Sequence, residues 1–335
     1  MAKSKRSKYF DNAKFILMFL VVFGHLISPL KDQDGFLFTL YTVIYLFHMP
    51  AFILISGYFS KGFQKPGYFK KLAIKLLIPY LLFQTIYSVY YYMNGKETAF
   101  HVDFFHPHWS LWFLLSLLFW NILLIPFSRM KWLGLALAIV LGVAIGYFNE
   151  AGSYLSLSRT FVFFPYFLLG FLLNEGHLKR ILRGKYSLPT AMVVLLAAVI
   201  SFGHSFPQDA VSWLLGDSSY AAMGIEHISA GVYRSLQYLL TLLMVFSFLT
   251  FIPSAQFKFT EIGERTLYIY LFHGFLIKPV QSVFPDQGFS SISGVYLFLI
   301  GFSFIVCLLL GSFLVKKYTK PLVEPKLPLT NAGGK

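Results

Sequence analysis

Ten mostly apolar runs follow one another along the chain, at about 12–30, 37–60, 73–93, 110–127, 132–148, 160–174, 188–204, 232–252, 264–283 and 292–315. A run of roughly 17–25 such residues is what a helix needs to cross a bilayer. Lipid offers an open backbone no hydrogen-bond partner, so each run is predicted to be helical. Composition removes the alternatives. Charged residues are 13% and hydrophobic residues 57% of the 335, against about 25% charged in an average soluble domain. Mean hydropathy is +0.65. So few charges cannot cover a water-exposed surface, and so apolar a chain is not a disordered one. The expectation is an all-α, polytopic transmembrane bundle of about ten helices. Residues 1–335 form one unit with no separate soluble domain, since the longest outer loop, about 205–231, is short. No internal repeat is visible, which gives a transporter of repeated halves no support.

A net charge of +14 would raise the question of nucleic acid in a soluble protein. Here the positions answer it, and no nucleic-acid partner is expected. Twenty Lys and Arg residues fall on one side of the alternating loops: Lys3, Lys5, Arg6 and Lys8; Lys61, Lys65, Lys70 and Lys71; Arg129 and Lys131; Lys179, Arg180, Arg183 and Lys185; Lys258; and Lys316, Lys317, Lys320, Lys326 and Lys335. The other loops hold Lys31 and Lys96. Positive loops stay in the cytoplasm, so both termini are expected there, in a multi-pass protein of the bacterial plasma membrane. The first run lacks a small-residue cleavage site after Leu26 and carries Lys14 and His25, so it is expected to remain as a helix. The single cysteine, Cys307, excludes an intramolecular disulfide and a cysteine metal cluster.

Ionisable groups inside membrane spans are costly and mark function. Lys14 and His25 are eleven residues apart in the first run. At 100° per residue they share a face, about 16 Å apart along the axis. Asp11 lies one turn before Lys14 and can pair with it. His48 precedes Pro50, which removes a helix hydrogen bond there, and His273 stands in the ninth run. The three histidines fall at similar depth and suggest a polar chamber. A lone intramembrane histidine can simply bond a neighbouring helix, and an interfacial lysine can snorkel. His25 shares the face of Lys14 and has no interface to reach, so neither reading suits it. Lys71 and Lys75 lie one turn apart; a positive cytoplasmic flank accounts for Lys70 and Lys71, and the deeper Lys75 could meet an anion. His101, Asp103, His106 and His108 fit no strong metal-ligand spacing, and no metal is expected. With Trp109 and Trp112 they read as an interfacial belt. Arg159 and Arg234, near outer span ends, could face sugar hydroxyls, acidic groups or lipid phosphates.

Asp11-Asn-Ala-Lys14, ten residues and His25 together resemble the Arg/Lys-x10-His signature of the acyltransferase-3 family, in its fucose 4-O-acetyltransferase-like branch. Five further blocks follow in family order: Phe47-His48-Met-Pro through Ser56-Gly57-Tyr58-Phe59; Lys70-Lys71 through Lys75 to Pro79-Tyr80; Trp112-Phe113-Leu114; Phe164-Pro165 to Gly170; and Ile262-Gly-Glu264 to His273. Lysine stands at position 14 where arginine is commoner, which keeps the charge and loses the bidentate fork. The resemblance implies a membrane O-acyltransferase that moves an acyl group, usually acetyl, from cytoplasmic acetyl-CoA or another acyl-CoA to a hydroxyl of an extracytoplasmic cell-envelope glycan. It implies donor binding by Lys14, Lys71, Lys75 and Ser56. It implies catalysis at His25, as general base or as an acylated intermediate, with His48 and His273 orienting it or binding the acceptor. Trp112, Arg159 and Arg234 are then candidates for the acceptor site. Some family members carry an esterase-like domain; this chain is expected to act directly or through a separate extracellular transferase, among membrane lipids. A proton-coupled glycan or lipid transporter, or flippase, is the competing reading.

Overall fold

The computed structural model describes residues 7–225, 227–284 and 292–325. Lys3, Lys5, Arg6, Lys326 and Lys335 of the orientation argument lie outside them. Regular structure among the described residues is helical throughout. Twelve α-helices follow in order: α1 Lys8–Ile27, α2 Gly35–Tyr58, α3 Tyr68–Met93, α4 Trp112–Ala144, α5 Leu157–Leu172, α6 Glu175–Arg183, α7 Ser187–Ser205, α8 Val211–Leu215, α9 Ser229–Phe251, α10 Thr266–Gln281, α11 Ile292–Leu310 and α12 Phe313–Val323. Each apolar run of the sequence falls on one of them. Among the described residues, six helical stretches are long and apolar enough to span a membrane, and the bent pairs α6–α7 (70°) and α11–α12 (66°), each taken as one span, bring that to eight. The chain is therefore an all-helical, multi-pass membrane protein.

The fourth and fifth runs share α4, which Lys131 interrupts with φ 51° and ψ −122°. Seven residues advance a continuous helix by about 10 Å. Here a Cβ on Gly134 would lie 2.6 Å from the Phe127 carbonyl oxygen, so the chain turns back sharply. Both ends of α4 then reach one turn of α5. Near its start, Ser116 Oγ is 2.8 Å from Thr160 Oγ1 and Trp120 Nε1 donates to the Thr160 carbonyl at 2.7 Å. Near its end, a Cβ on Gly142 would lie 2.9 Å from the Phe161 carbonyl oxygen. α4 is a helical hairpin, 112–130 against 132–144.

α1 and α2 fill the middle of the bundle, with Leu17, Val22, Leu26, Ala51, Ile53 and Ile55 essentially inaccessible. α2 runs through Pro50, as membrane helices tolerate; the missing N–H leaves the Leu46 carbonyl without its helical donor. Leu133 and Val140 of α4, Val193 and Leu196 of α7, and Leu236 and Leu239 of α9 are exposed, which suits a surface facing hydrocarbon. Small residues set the closest helix approach. Cβ atoms on Gly57 of α2 and Gly170 of α5 would each fall 1.9 Å from a carbonyl oxygen of the other helix, that of Phe167 and of Leu54. The start of α1 is held by Asn12, whose Nδ2 donates to the Pro253 and Ala255 carbonyls at 2.9 and 2.8 Å and whose Oδ1 accepts from Thr260 at 2.6 Å.

Candidate active site

Along α1, Lys14, Met18, Val21 and His25 recur at steps of four, three and four residues, which keeps one helical face. That face lines three cavities in turn. Lys14 lines one of about 790 Å³ at the N-terminal end of α1. Met18 and Val21 line one of about 150 Å³, with Ser56 of α2. Val21 and His25 line one of about 220 Å³, with His48, Trp112 and Arg159. The second and third share Val21, Met49 and Tyr270 as walls. The histidine chamber and the small cavity thus adjoin, while the charged cavity lies one turn further down the same helix face and shares no wall residue with them.

In the chamber, His25 Nδ1 is 3.2 Å from the Tyr45 hydroxyl. Its backbone carbonyl accepts from Gln281 Nε2 at 2.6 Å, tying α1 to α10. His48 Nδ1 donates to the Ile44 carbonyl at 2.7 Å. His273 Nδ1 donates to the carbonyls of Tyr270 (2.6 Å) and Ile269 (3.1 Å). In both, the proton on Nδ1 makes Nε2 an acceptor in the neutral ring; that of His273 is buried without a partner among the described residues. The His25 and His273 rings are 5.5 Å apart, and Trp109 touches both, at 4.5 and 4.8 Å between centroids. Trp109 holds φ 40°, a conformation few bulky residues adopt.

Arg159 lines the chamber, with Nη2 2.5 Å from Asp217 Oδ2 and its guanidinium 5.1 Å from the Trp112 ring centroid. Arg234 is buried elsewhere. It donates to the Trp213 carbonyl (2.8 Å) and to Gln237 (2.6 Å), with the Trp213 ring 5.0 Å away. Lys14 Nζ pairs with Asp11 at 2.6 Å. Ser56 donates to the Phe52 carbonyl at 2.9 Å. Lys71 and Lys75 are exposed on α3 and do not line the cavity that Lys14 lines. The structure thus brings together His25, His48, Trp112 and Arg159, sets His273 against His25, and places Ser56 in the adjoining cavity and Lys14 in the separate charged one.

In the loop before α4, Asp103 accepts from the Phe105 backbone N–H and from His106 Nδ1, both at 2.7 Å. The Phe105 amide, ahead of His106, holds its carboxyl below the usual range. His108 sits 2.8 Å from Ser88 Oγ, and burial holds its imidazolium pKa down. Among the described residues, no three His, Cys, Asp or Glu side chains are placed to hold a metal ion.

Sequence reasoning missed Tyr45, Gln281, Asp217 and Lys278, whose Nζ lies 4.8 Å from the Trp109 ring centroid. Tyr45 lies three residues before His48, so helical spacing carried a signal for it. The other three depend on which helices meet.

A sequence profile for the acyltransferase-3 family, described as an acyltransferase domain, matches residues 7–312. The chain belongs to the acyltransferase-3 family. Among its acyltransferase-3 similarities, it is 32% identical over 188 residues to nodulation protein NolL of Sinorhizobium fredii, covering 51% of this chain and 50% of that protein. It is 25% identical over 300 residues to nodulation protein NolL of Mesorhizobium japonicum, covering 82% and 78%. The first match thus spans about half the length of that relative. No solved structure matches this acyltransferase-3 chain.

Proposed function

We propose that the chain is a membrane O-acyltransferase that carries an acyl group, acetyl being the best-fitting, from cytoplasmic acyl-CoA to a hydroxyl of an envelope glycan on the other side. The observation that carries this reading is the single α1 face that passes Lys14, Met18, Val21 and His25 through three successive cavities. A donor with an anionic head and a long thin arm suits a charged mouth followed by a narrow apolar middle. The histidine chamber is where its acyl end would arrive. The acceptor side is lined by Tyr41, Tyr45, Trp112 and Arg159, aromatic and hydrogen-bonding surface of the kind sugar rings and hydroxyls need.

In the tautomer we assign, His25 Nδ1–H donates to the Tyr45 hydroxyl, and Nε2 presents its lone pair. Nε2 takes the proton of the acceptor hydroxyl as the oxygen attacks the acyl carbon. The carbon–oxygen bond forms, the carbon–sulfur bond breaks, and the proton returns to the departing thiolate. His48 and His273 offer Nε2 acceptors that would bind or orient the hydroxyl. Lys14 holds the donor's anionic end. Both termini lie in the cytoplasm in this reading, and the ten apolar runs all cross the membrane, with α4 crossing twice.

The test is His25→Ala in purified full-length protein. Removing a general base costs about 10²–10⁴-fold in rate. The variant should insert, elute as the native protein does and bind acyl-CoA, while transfer to glycan is lost. A folded His25→Ala protein with near-native transfer would refute the mechanism.

A further inference from the structure

We infer that the cavity at the N-terminal end of α1 is a site for a nucleoside diphosphate, in which Lys179 and Arg183 of α6 bind the phosphates. The inference rests on the acyl-CoA reading above and assigns the donor's nucleotide end to residues outside the α1 face.

α6 has nine residues and two faces. Leu178 and Leu182 are buried, while their neighbours Lys179 and Arg183, one turn apart, are exposed and line the cavity. The helix is held from both ends. Asn174 caps it by accepting the His177 N–H at 2.8 Å. Arg183 Nη2 donates to the Ile252 carbonyl (3.2 Å) and to Ser254 Oγ (3.1 Å), which fixes the guanidinium at the cavity wall. The charged groups lining the cavity are Lys14, Lys179 and Arg183 against Asp11 and Glu175. Asp11 pairs with Lys14 at 2.6 Å and offsets part of its charge. An incoming anion meets Lys179 and Arg183 as well as Lys14, a point charge beside a planar fork suited to phosphate oxygens.

A second feature points to a flat ring beside those phosphates. Phe10, at the start of α1, has its ring 4.9 Å from that of Tyr58 and 5.0 Å from that of Phe59. These three line the same cavity, and Phe59 is 57% exposed. An open aromatic face stacks a nucleobase without regard to its hydrogen-bonding edge. The volume, about 790 Å³, lies within the range of about 300–1,000 Å³ of small-molecule sites. Cations from α6 and aromatic rings from α1 and the end of α2 thus meet around one opening, at the N-terminal end of the helix that carries His25.

The experiment compares binding of CoA and of 3′-phospho-ADP to full-length protein in nanodiscs. The proteins are native, Lys179→Ala/Arg183→Ala, Phe59→Ala, and the charge-matched control Lys317→Ala/Lys320→Ala, whose lysines are exposed on α12 away from the cavity. Charge-assisted hydrogen bonds are strong enough that losing two should weaken both ligands at least about tenfold. Phe59→Ala should weaken both several-fold, and the control should bind as native. If native protein binds CoA and the α6 double variant binds it equally well, the site is wrong and the donor reading stands. If the control weakens binding as much as the α6 variant, general electrostatics explain the effect and the site is again wrong. If native protein binds neither ligand, both readings fall.

Discussion

The Tyr45 hydroxyl lies 3.2 Å from His25 Nδ1, and in the tautomer proposed above it would accept the Nδ1 proton and hold the imidazole in place. In that reading Tyr45 acts through His25, as a positioning residue. Tyr45→Phe keeps the ring stacked on Tyr41, 3.9 Å between centroids, and removes only the hydroxyl. One hydrogen bond is worth about 0.5–1.5 kcal/mol net, so kcat should fall by up to about tenfold with acyl-CoA KM unchanged. A rise in KM with kcat intact would show that Tyr45 serves binding instead. Lys14 and His25 were legible in the sequence because eleven residues is close to three helical turns, and periodicity needs no knowledge of neighbours. Trp109 was visible only as a belt residue. Its contact with two histidines depends on a left-handed backbone (φ 40°) and on where α10 lies, neither of which is encoded locally.

Where α2 crosses α5, Gly57 and Gly170 bring the two backbones into contact, and a methyl group on either would enter a carbonyl oxygen of the other helix. Overpacking of this kind costs roughly 1–3 kcal/mol when the helices can shift and more when they cannot. Gly170→Ala should lower the melting temperature in detergent, and Gly176→Ala, whose Cβ would sit 3.3 Å from the Asn174 side chain, should lower it less. Equal shifts would show that the crossing tolerates separation. The loop 94–111 carries a pH dependence of its own. Burial holds the His108 pKa below its ordinary value, with Lys96 acting the same way and Glu97 and Asp103 opposing. The unfolded chain therefore binds the proton more readily. The stabilisation is complete above about pH 6.5 and is lost as pH falls through the lower folded value. Native protein should lose melting temperature on acidification faster than His108→Gln; parallel curves would show that His108 is not responsible. At this scale the sequence located the runs well, since apolar length is a local property. It also separated 110–127 from 132–148, because Arg129 and Lys131 interrupt the apolar pattern. That one residue makes the turn, and that both halves then flank α5, rests on packing that periodicity does not report.

For the molecule as a whole, the orientation argued from twenty basic residues on one set of loops can be tested by single-cysteine labelling. The chain has one cysteine, Cys307, and it is buried, so a Cys307→Ser background is clean. Cysteines at Phe104 and Lys185 should be labelled from opposite sides of intact spheroplasts, Phe104 from outside. Labelling of both from one side would overturn the topology. Lys14, which would hold the donor, and His25, which would transfer its acyl group, stand on one unbroken helix, and on the same face between them Met18 and Val21 line a small apolar cavity. On that layout the crossing of the membrane and the bond-making step are one vectorial event, driven by thioester cleavage. Sealed vesicles loaded with acetyl-CoA should keep acetylating external glycan after a protonophore has collapsed the ion gradients, whereas a proton-coupled carrier would stop.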